Sequence, residues 1–204
     1  MTLRNQDSQA EIAVSQFLDQ FFYPNYVQNL KRYSDLETQL KGVDVTFDFE
    51  GSTRLLVDEK AAVHFVNKNI PTFAFEIDFI GTDGKLKEGW LFDEGKKTQY
   101  YLLTWIQAVK DVGFSCDDIS QLEVLLVERQ AIINFLNNFH LDVKSAKEIS
   151  QELRLKNQIG PAHKNSASPF YFYLTEHLTE RPINVVIKKK ALVELSVLHK
   201  FVKR

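Results

Sequence analysis

The sequence is short of the residues that would commit it to several common functions. It has a single cysteine, Cys116, so no internal disulfide can form and a reducing cytoplasm is the expected compartment. No apolar run approaches the roughly 18 residues of a membrane span, so no membrane partner is expected. The opening residues MTLRNQDSQAEIAV lack the apolar stretch of a signal peptide, and no export is expected. GxxxxGK[ST], GxGxxG and GxSxG are all absent, which leaves ATP-driven, dinucleotide-dependent and serine-hydrolase chemistry without support. His64, His140, His163, His177 and His199 are scattered with no zinc-ligand spacing. His64 is read as structural, while His163 lies in a loop open to a substrate. An excess of one charge sign is missing too: 25 Lys and Arg face 27 Asp and Glu, for a net charge of −2. Nucleic-acid binding would therefore need a local basic patch. IKKKALVELSVLHKFVKR, with Lys188, Lys189, Lys190, Lys200, Lys203 and Arg204, is one candidate, and a solvated chain end is the alternative.

What remains is an ordinary globular composition, 44% hydrophobic over 204 residues, enough for one domain with a sizeable core. The spacing of Ile12, Ala13, Phe17, Phe21 and Phe22 predicts an amphipathic helix over 8–23, ended by Pro24. VDVTFDF alternates strictly, with Val43, Val45, Phe47 and Phe49 on one face and Asp44, Thr46 and Asp48 on the other. EGST is a turn, and TRLLVDEKAAVHFV is a second, central strand. PTFAFEIDFI reads as a third strand, followed by a turn at Gly81–Gly84. KEGWLF and TQYYLLTWIQAVK read as extended. ISQLEVLLV fits strand or helix. ERQAIINFLNNF and SAKEISQELRLKN have helical spacing, KNQIGPAHKNSASP is a loop, FYFYLTE and INVVIKKK are late strands, and ALVELSVLHKFV is a closing helix. The pattern predicts a mixed α/β sheet flanked by helices, with antiparallel strands early.

Acids inside apolar strands need a reason. Asp58 and Lys60 are two apart on a strand and share a face, and a short hairpin can bring Asp44 beside Asp58. Two carboxylates at one spot repel, more so when buried, and a hard divalent cation such as Mg²⁺ or Mn²⁺ resolves the conflict. The cation would make water a better nucleophile and offset phosphate charge, with Lys60 holding or activating the water. Acid-x-Lys triplets alone are weak markers, because four occur: at Asp58, Asp83, Glu94 and Asp142. Only the first lies within an apolar strand that follows an acid-bearing one.

The order of helix, Asp-bearing strand, turn and D-x-K strand resembles the PD-(D/E)xK nuclease superfamily, which has the restriction-endonuclease-like fold. The resemblance covers residues 8–110, about half the chain, and leaves 111–204 as an α/β extension of a single domain. It lacks the proline of the family name, since Val43 precedes Asp44. It implies that Asp44, Asp58 and the main-chain carbonyl of Glu59 bind the metal, and that Lys60 assists the water. A helix glutamate often joins such sites, and Glu11 is the first match by position, with Glu37 second. Glu76 and Asp78 share a face of the third strand and are further candidates, with an exposed outer strand as the alternative. The side chain of Glu59 points to the face of Val57 and Ala61, away from Asp58 and Lys60. Lys87, Glu88 and Trp90 could line a substrate cleft. Trp90, Tyr100, Tyr101 and Trp105 could stack on bases, with core packing as the alternative. Nucleic acid, with DNA expected, is the implied partner, and a homodimer is allowed because two strands must be cut. The rival readings are a catalytically inactive nuclease-like binding or assembly module, and a plain α/β protein in which these charges form a structural salt bridge.

Overall fold

A computed structural model describes the backbone of residues 3–176 and 178–204, and side chains from residue 7 onward. His177 lies outside the described residues. In chain order the elements are α1 (Leu3–Phe17), a π-helical turn (Leu18–Phe22), α2 (Tyr23–Tyr26), β1 (Gln28–Arg32), α3 (Leu36–Leu40), β2 (Val45–Phe49), β3 (Ser52–Ala61), β4 (Thr72–Ile80), β5 (Leu86–Glu88) and β6 (Tyr100–Ala108). They continue with β7 (Ile119–Glu128), α4 (Arg129–Asn137), α5 (Val143–Leu155), β8 (Gly160–Ala162), β9 (Phe170–Leu174), β10 (Ile183–Lys188), α6 (Lys189–Leu195) and β11 (Ser196–Lys203). The architecture is mixed α/β with two sheets flanked by helices. One compact unit takes residues up to 70, 97–128 and 196–204; the other takes 71–96 and 129–195.

The first unit is built on a sheet of order β1-β2-β3-β6-β7-β11, antiparallel except for the parallel pair β3–β6. Ala13, Val14, Phe17, Leu18, Phe22 and Tyr23 from the N-terminal helix are buried in one cluster with Val45, Phe47, Val57, Leu102 and Leu126 of the sheet. The π turn explains a stripe that ideal helical spacing misses. Phe17 and Phe22, five residues apart, are both fully buried because the widened turn brings them to the same side. Ile12, expected on this face, is 57% exposed. Pro24 does not end the helix but sits in the first turn of α2, where its missing N–H is tolerated.

The β2–β3 hairpin has a two-residue turn, and both Glu50 (φ 46°) and Gly51 (φ 83°) take the left-handed conformation that the turn's twist requires. A bulge follows: Arg54 (φ 53°) is the extra residue, and its N–H donates to Asp48 Oδ1 at 2.7 Å. The bulge moves the pairing by one, from Phe49 with Ser52 to Phe47 with Leu55 and Val45 with Val57. The regular pairing stops there, and the Asp44 N–H, one residue further, also donates to the Val57 carbonyl at 2.9 Å.

The second unit is an antiparallel sheet of order β5-β4-β10-β9-β8 with α4, α5 and α6. Phe75, Ile77, Leu136, Leu153, Phe172, Leu174 and Val185 are among its buried residues. Asp78 is also buried, ion-paired to Arg154 of α5 and bonded by the Ser150 hydroxyl. PTFAFEIDFI is thus a strand as expected, but it belongs to this second sheet rather than beside β3. KEGWLF is extended only at Leu86–Glu88, after which the chain turns. The closing stretch is half helix, half strand: α6 ends at Leu195, and β11 pairs with β7 and buries Leu198 and Val202. A free strand edge on β7 outweighs the helical spacing of those apolar residues.

Candidate active site

Asp44 stands just before β2, and its backbone N–H donates to the Val57 carbonyl at 2.9 Å, so it is held in the ladder. The Asp44 carboxyl lies close enough to Asp58 to feel its charge and to share a side-chain hydrogen bond with it. Asp58 is only 4% exposed. Its Oδ1 accepts a hydrogen bond from Lys60 Nζ at 2.7 Å. Asp44 Oδ2 accepts from the backbone N–H of Glu59 at 2.8 Å. Burial, then the Asp58 charge, push the Asp44 carboxyl up to about 6, against the opposing pull of Lys60. Burial alone would lower the Lys60 pKa, but the adjacent Asp58, and then Asp44 and Glu11, hold it above the usual lysine value. The expected trio of Asp44, Asp58 and Lys60 thus shares one electrostatic site.

Glu11 reaches the same field from α1. Its carboxyl is raised by crowding from surrounding protein, with Lys60 opposing and Asp7 and Asp44 adding to the rise. His64, on the turn after β3, places Nε2 at 3.6 Å from Asp7 Oδ1 and also pulls Glu11 down. Glu37 is elsewhere, on α3 and ion-paired to Lys41 at 2.5 Å. Glu76 lies on β4 in the second unit, as do Lys87, Glu88 and Trp90. Glu88 pairs with Lys147 at 2.8 Å, and the Trp90 ring packs 5.4 Å from Phe75. Tyr101 and Trp105 are buried in the core.

Glu59 has partners that its place in the sequence does not suggest. On the face opposite Asp58, its carboxylate accepts from Ser15 Oγ at 2.9 Å, from the Tyr23 hydroxyl, and from Arg32 Nη1 and Nη2 at 2.7 and 3.0 Å. Arg32 also binds Asp19 at 2.7 Å. Burial would lower the Arg32 pKa, but the hydrogen bonds to Glu59 and Asp19 leave it raised. Burial and Glu59 raise that of Tyr23, so the hydroxyl keeps its proton and donates. Sequence reasoning missed Ser15, Asp19, Tyr23 and Arg32. Its one signal was an acid where strand alternation asks for an apolar residue. The network anchors the main chain between Asp58 and Lys60, and through the Glu59 N–H it orients Asp44.

A hard cation fits this donor set: two facing carboxylates, one with its pKa raised by the other, are the arrangement that Mg²⁺ relieves. Among the described residues, no group of three or more His, Cys, Asp or Glu is arranged to hold a metal. A cation here would rest on Asp44, Asp58 and main-chain or water oxygens. The side-chain and N–H contacts of Glu59 do not involve its carbonyl, the group that the nuclease resemblance gives to the metal. No helix among the described residues is long and apolar enough to cross a membrane. No family model, curated protein or solved structure matches the chain.

Proposed function

We propose that the protein is a metal-dependent nuclease of the restriction-endonuclease-like type, hydrolysing phosphodiester bonds of nucleic acid, with DNA the expected substrate. The observation that carries this is the cluster of buried Asp58, Lys60 Nζ at 2.7 Å from it, and the Asp44 carboxylate, held at 2.8 Å by the N–H of Glu59 between them. Mg²⁺ or Mn²⁺, when bound, supplies Lewis-acid stabilisation of phosphate charge and lowers the pKa of water. Asp44 and Asp58 hold the cation. Lys60, charged at neutral pH, holds the attacking water or a phosphate oxygen by donating hydrogen bonds rather than taking a proton. Glu11 lies near enough to orient a water on the same side. Phosphoryl chemistry asks for positioning and charge neutralisation, and a rigid hairpin supplies both.

The test is cleavage of single- and double-stranded DNA and of RNA with Mg²⁺ or Mn²⁺. Wild type should cut, and Asp58→Ala and Lys60→Ala should each lose on the order of 100-fold or more. Asp58→Ala cutting as fast as wild type sinks the assignment. The second reading, an inactive nuclease-like binding or assembly module, draws on the Lys60–Asp58 ion pair, which satisfies Asp58 without a cation. Calorimetry showing no Mg²⁺ or Mn²⁺ binding would favour it.

A further inference from the structure

The second unit holds a cavity of about 230 Å³ between the turn joining α4 to α5 and the β8–β9 hairpin. That is below the few hundred Å³ of a site for a drug-sized ligand, and it suits one planar ring system. Its walls are aromatic. Phe139 stands edge-on to Phe170 at 5.7 Å and 86°, and His163 edge-on to Phe172 at 5.7 Å and 81°. Phe139 is nevertheless 48% exposed, and its ring also packs against Phe135 at 5.3 Å and 62°. His140, His163 and Ser168 add hydrogen-bonding groups to the lining, which includes no carboxylate.

Acids flank the helix side of the cavity, with Asp142 and Glu148 next to the lining residues Leu141 and Ile149, while the hairpin side carries Lys164 next to His163. From Glu152 to Glu176 the sequence has no acid between them, but carries Arg154, Lys156, His163 and Lys164. Arg154 and Lys156 are already paired, to Asp78 and Glu152. At the hairpin loop, Lys164 Nζ lies 5.2 Å over the Tyr171 ring, and Lys188 Nζ reaches the Ser166 carbonyl at 2.6 Å. Glu152 is close enough to His163 to be influenced by it.

We infer that this cavity binds a base of single-stranded nucleic acid, with the ring against Phe139 and the adjoining phosphate on Lys164. An unpaired strand can turn a base out to meet an aromatic wall without breaking a base pair, and stacking is tolerant of sequence. The inference takes from the proposed function that the chain handles nucleic acid, and it adds a binding site on a different unit from Asp58.

Fluorescence anisotropy of the full chain with labelled oligo-dT, in EDTA so that nothing is cut, tests it. Wild type should bind the single strand more tightly than a duplex, and Phe139→Ala should weaken binding roughly tenfold. Lys164→Ala should weaken binding and reduce the salt slope by about 0.7. Three results overturn the inference: no single-strand binding by wild type, unchanged binding by Phe139→Ala, or competition by thymidine monophosphate at the oligonucleotide's own concentration. Asp58→Asn separates the two proposals, because it should bind like wild type. Phe139-dependent binding without cleavage in Mg²⁺ or Mn²⁺ keeps the cavity and removes the nuclease.

Discussion

Two residues set the character of the site, and each can be tested without knowing the substrate. Asp44 has a carboxyl pKa raised from the ordinary 3.8 to about 6 by burial and by Asp58. Between those values the folded chain holds a proton that the unfolded chain has released, so the contribution of Asp44 to metal-free stability is fully present below pH 3.8 and is lost as pH rises through about 6. Asp44→Asn removes the charge and keeps a carbonyl oxygen for the Glu59 N–H. Above pH 7, in EDTA, urea unfolding should find the variant more stable than wild type by roughly 2 kcal/mol, allowing for residual solvent screening. The difference should shrink to nothing near pH 4. A variant no more stable at neutral pH would show that the two carboxylates do not crowd each other. Arg32 is the opposite case, a cation whose loss leaves Glu59 charged and only partly satisfied. Arg32→Ala should cost about 3 kcal/mol by the same measurement, and Arg32→Ala combined with Glu59→Gln should recover part of it. Additive losses in the double variant would mean the two side chains act separately. Asp58 and Lys60 were legible as a pair because alternation alone puts them on a shared face, whereas their meeting with Asp44 depends on the register of the hairpin. The network around Glu59 was not, since Asp19 and Arg32 meet it only through helix packing and an edge strand.

At the scale of elements, the hairpin decides whether the site exists. The strands β2 and β3 are plain in the sequence, from VDVTFDF and an apolar run after EGST. Their register is not. A two-residue turn alone would pair Val45 with Leu56; the bulge at Arg54 shifts its partner to Val57, and Asp44 then bonds the Val57 carbonyl through its N–H and the Glu59 N–H through its carboxylate. Bulges leave no reliable mark in a single sequence, and here the only local signs are Gly51 and the Asp48 that receives the Arg54 N–H. Gly51 tests the turn cleanly. Its φ is +83° and a Cβ built there meets nothing within 4 Å, so a substitution pays only in backbone conformation. Gly51→Val should destabilise by about 1 to 2 kcal/mol in urea. A neutral effect would mean that the turn can take another form. The helix α1 shows the same division. Its apolar spacing was readable, but the π turn that brings Phe17 and Phe22 together was not, because helical periodicity assumes one turn length throughout. Phe17→Ala, at a fully buried position, should cost about 3 to 5 kcal/mol.

At the scale of the molecule, the strands were largely legible and their partners were not. PTFAFEIDFI and INVVIKKK lie more than a hundred residues apart in sequence yet pair as β4 and β10, and periodicity carries no information on such pairings. SVLHKFVK has apolar spacing that suits a helix, and becomes β11 only because β7 offers it an edge. The chain therefore reads as a run of one sheet but divides its strands between two. The C-terminal basic run is likewise divided, with Lys188–Lys190 in one unit and Lys200–Arg204 in the other. A whole-molecule measurement follows from the candidate metal site, because a ligand that binds only the folded chain raises its stability. Asp44 must lose its proton to bind a cation, so each pH unit below about 6 should weaken apparent Mg²⁺ affinity about tenfold. At a concentration about tenfold above Kd, Mg²⁺ should add about 1.4 kcal/mol and raise the Tm by roughly 2 to 4 °C above pH 7. Near pH 4.5 the rise should vanish, because Asp44 is protonated there. Asp58→Asn should abolish the shift at either pH. An equal shift in Asp58→Asn would place the cation elsewhere on the molecule, and no shift in wild type at any pH would leave Asp44, Asp58 and Lys60 as a self-satisfied charge cluster.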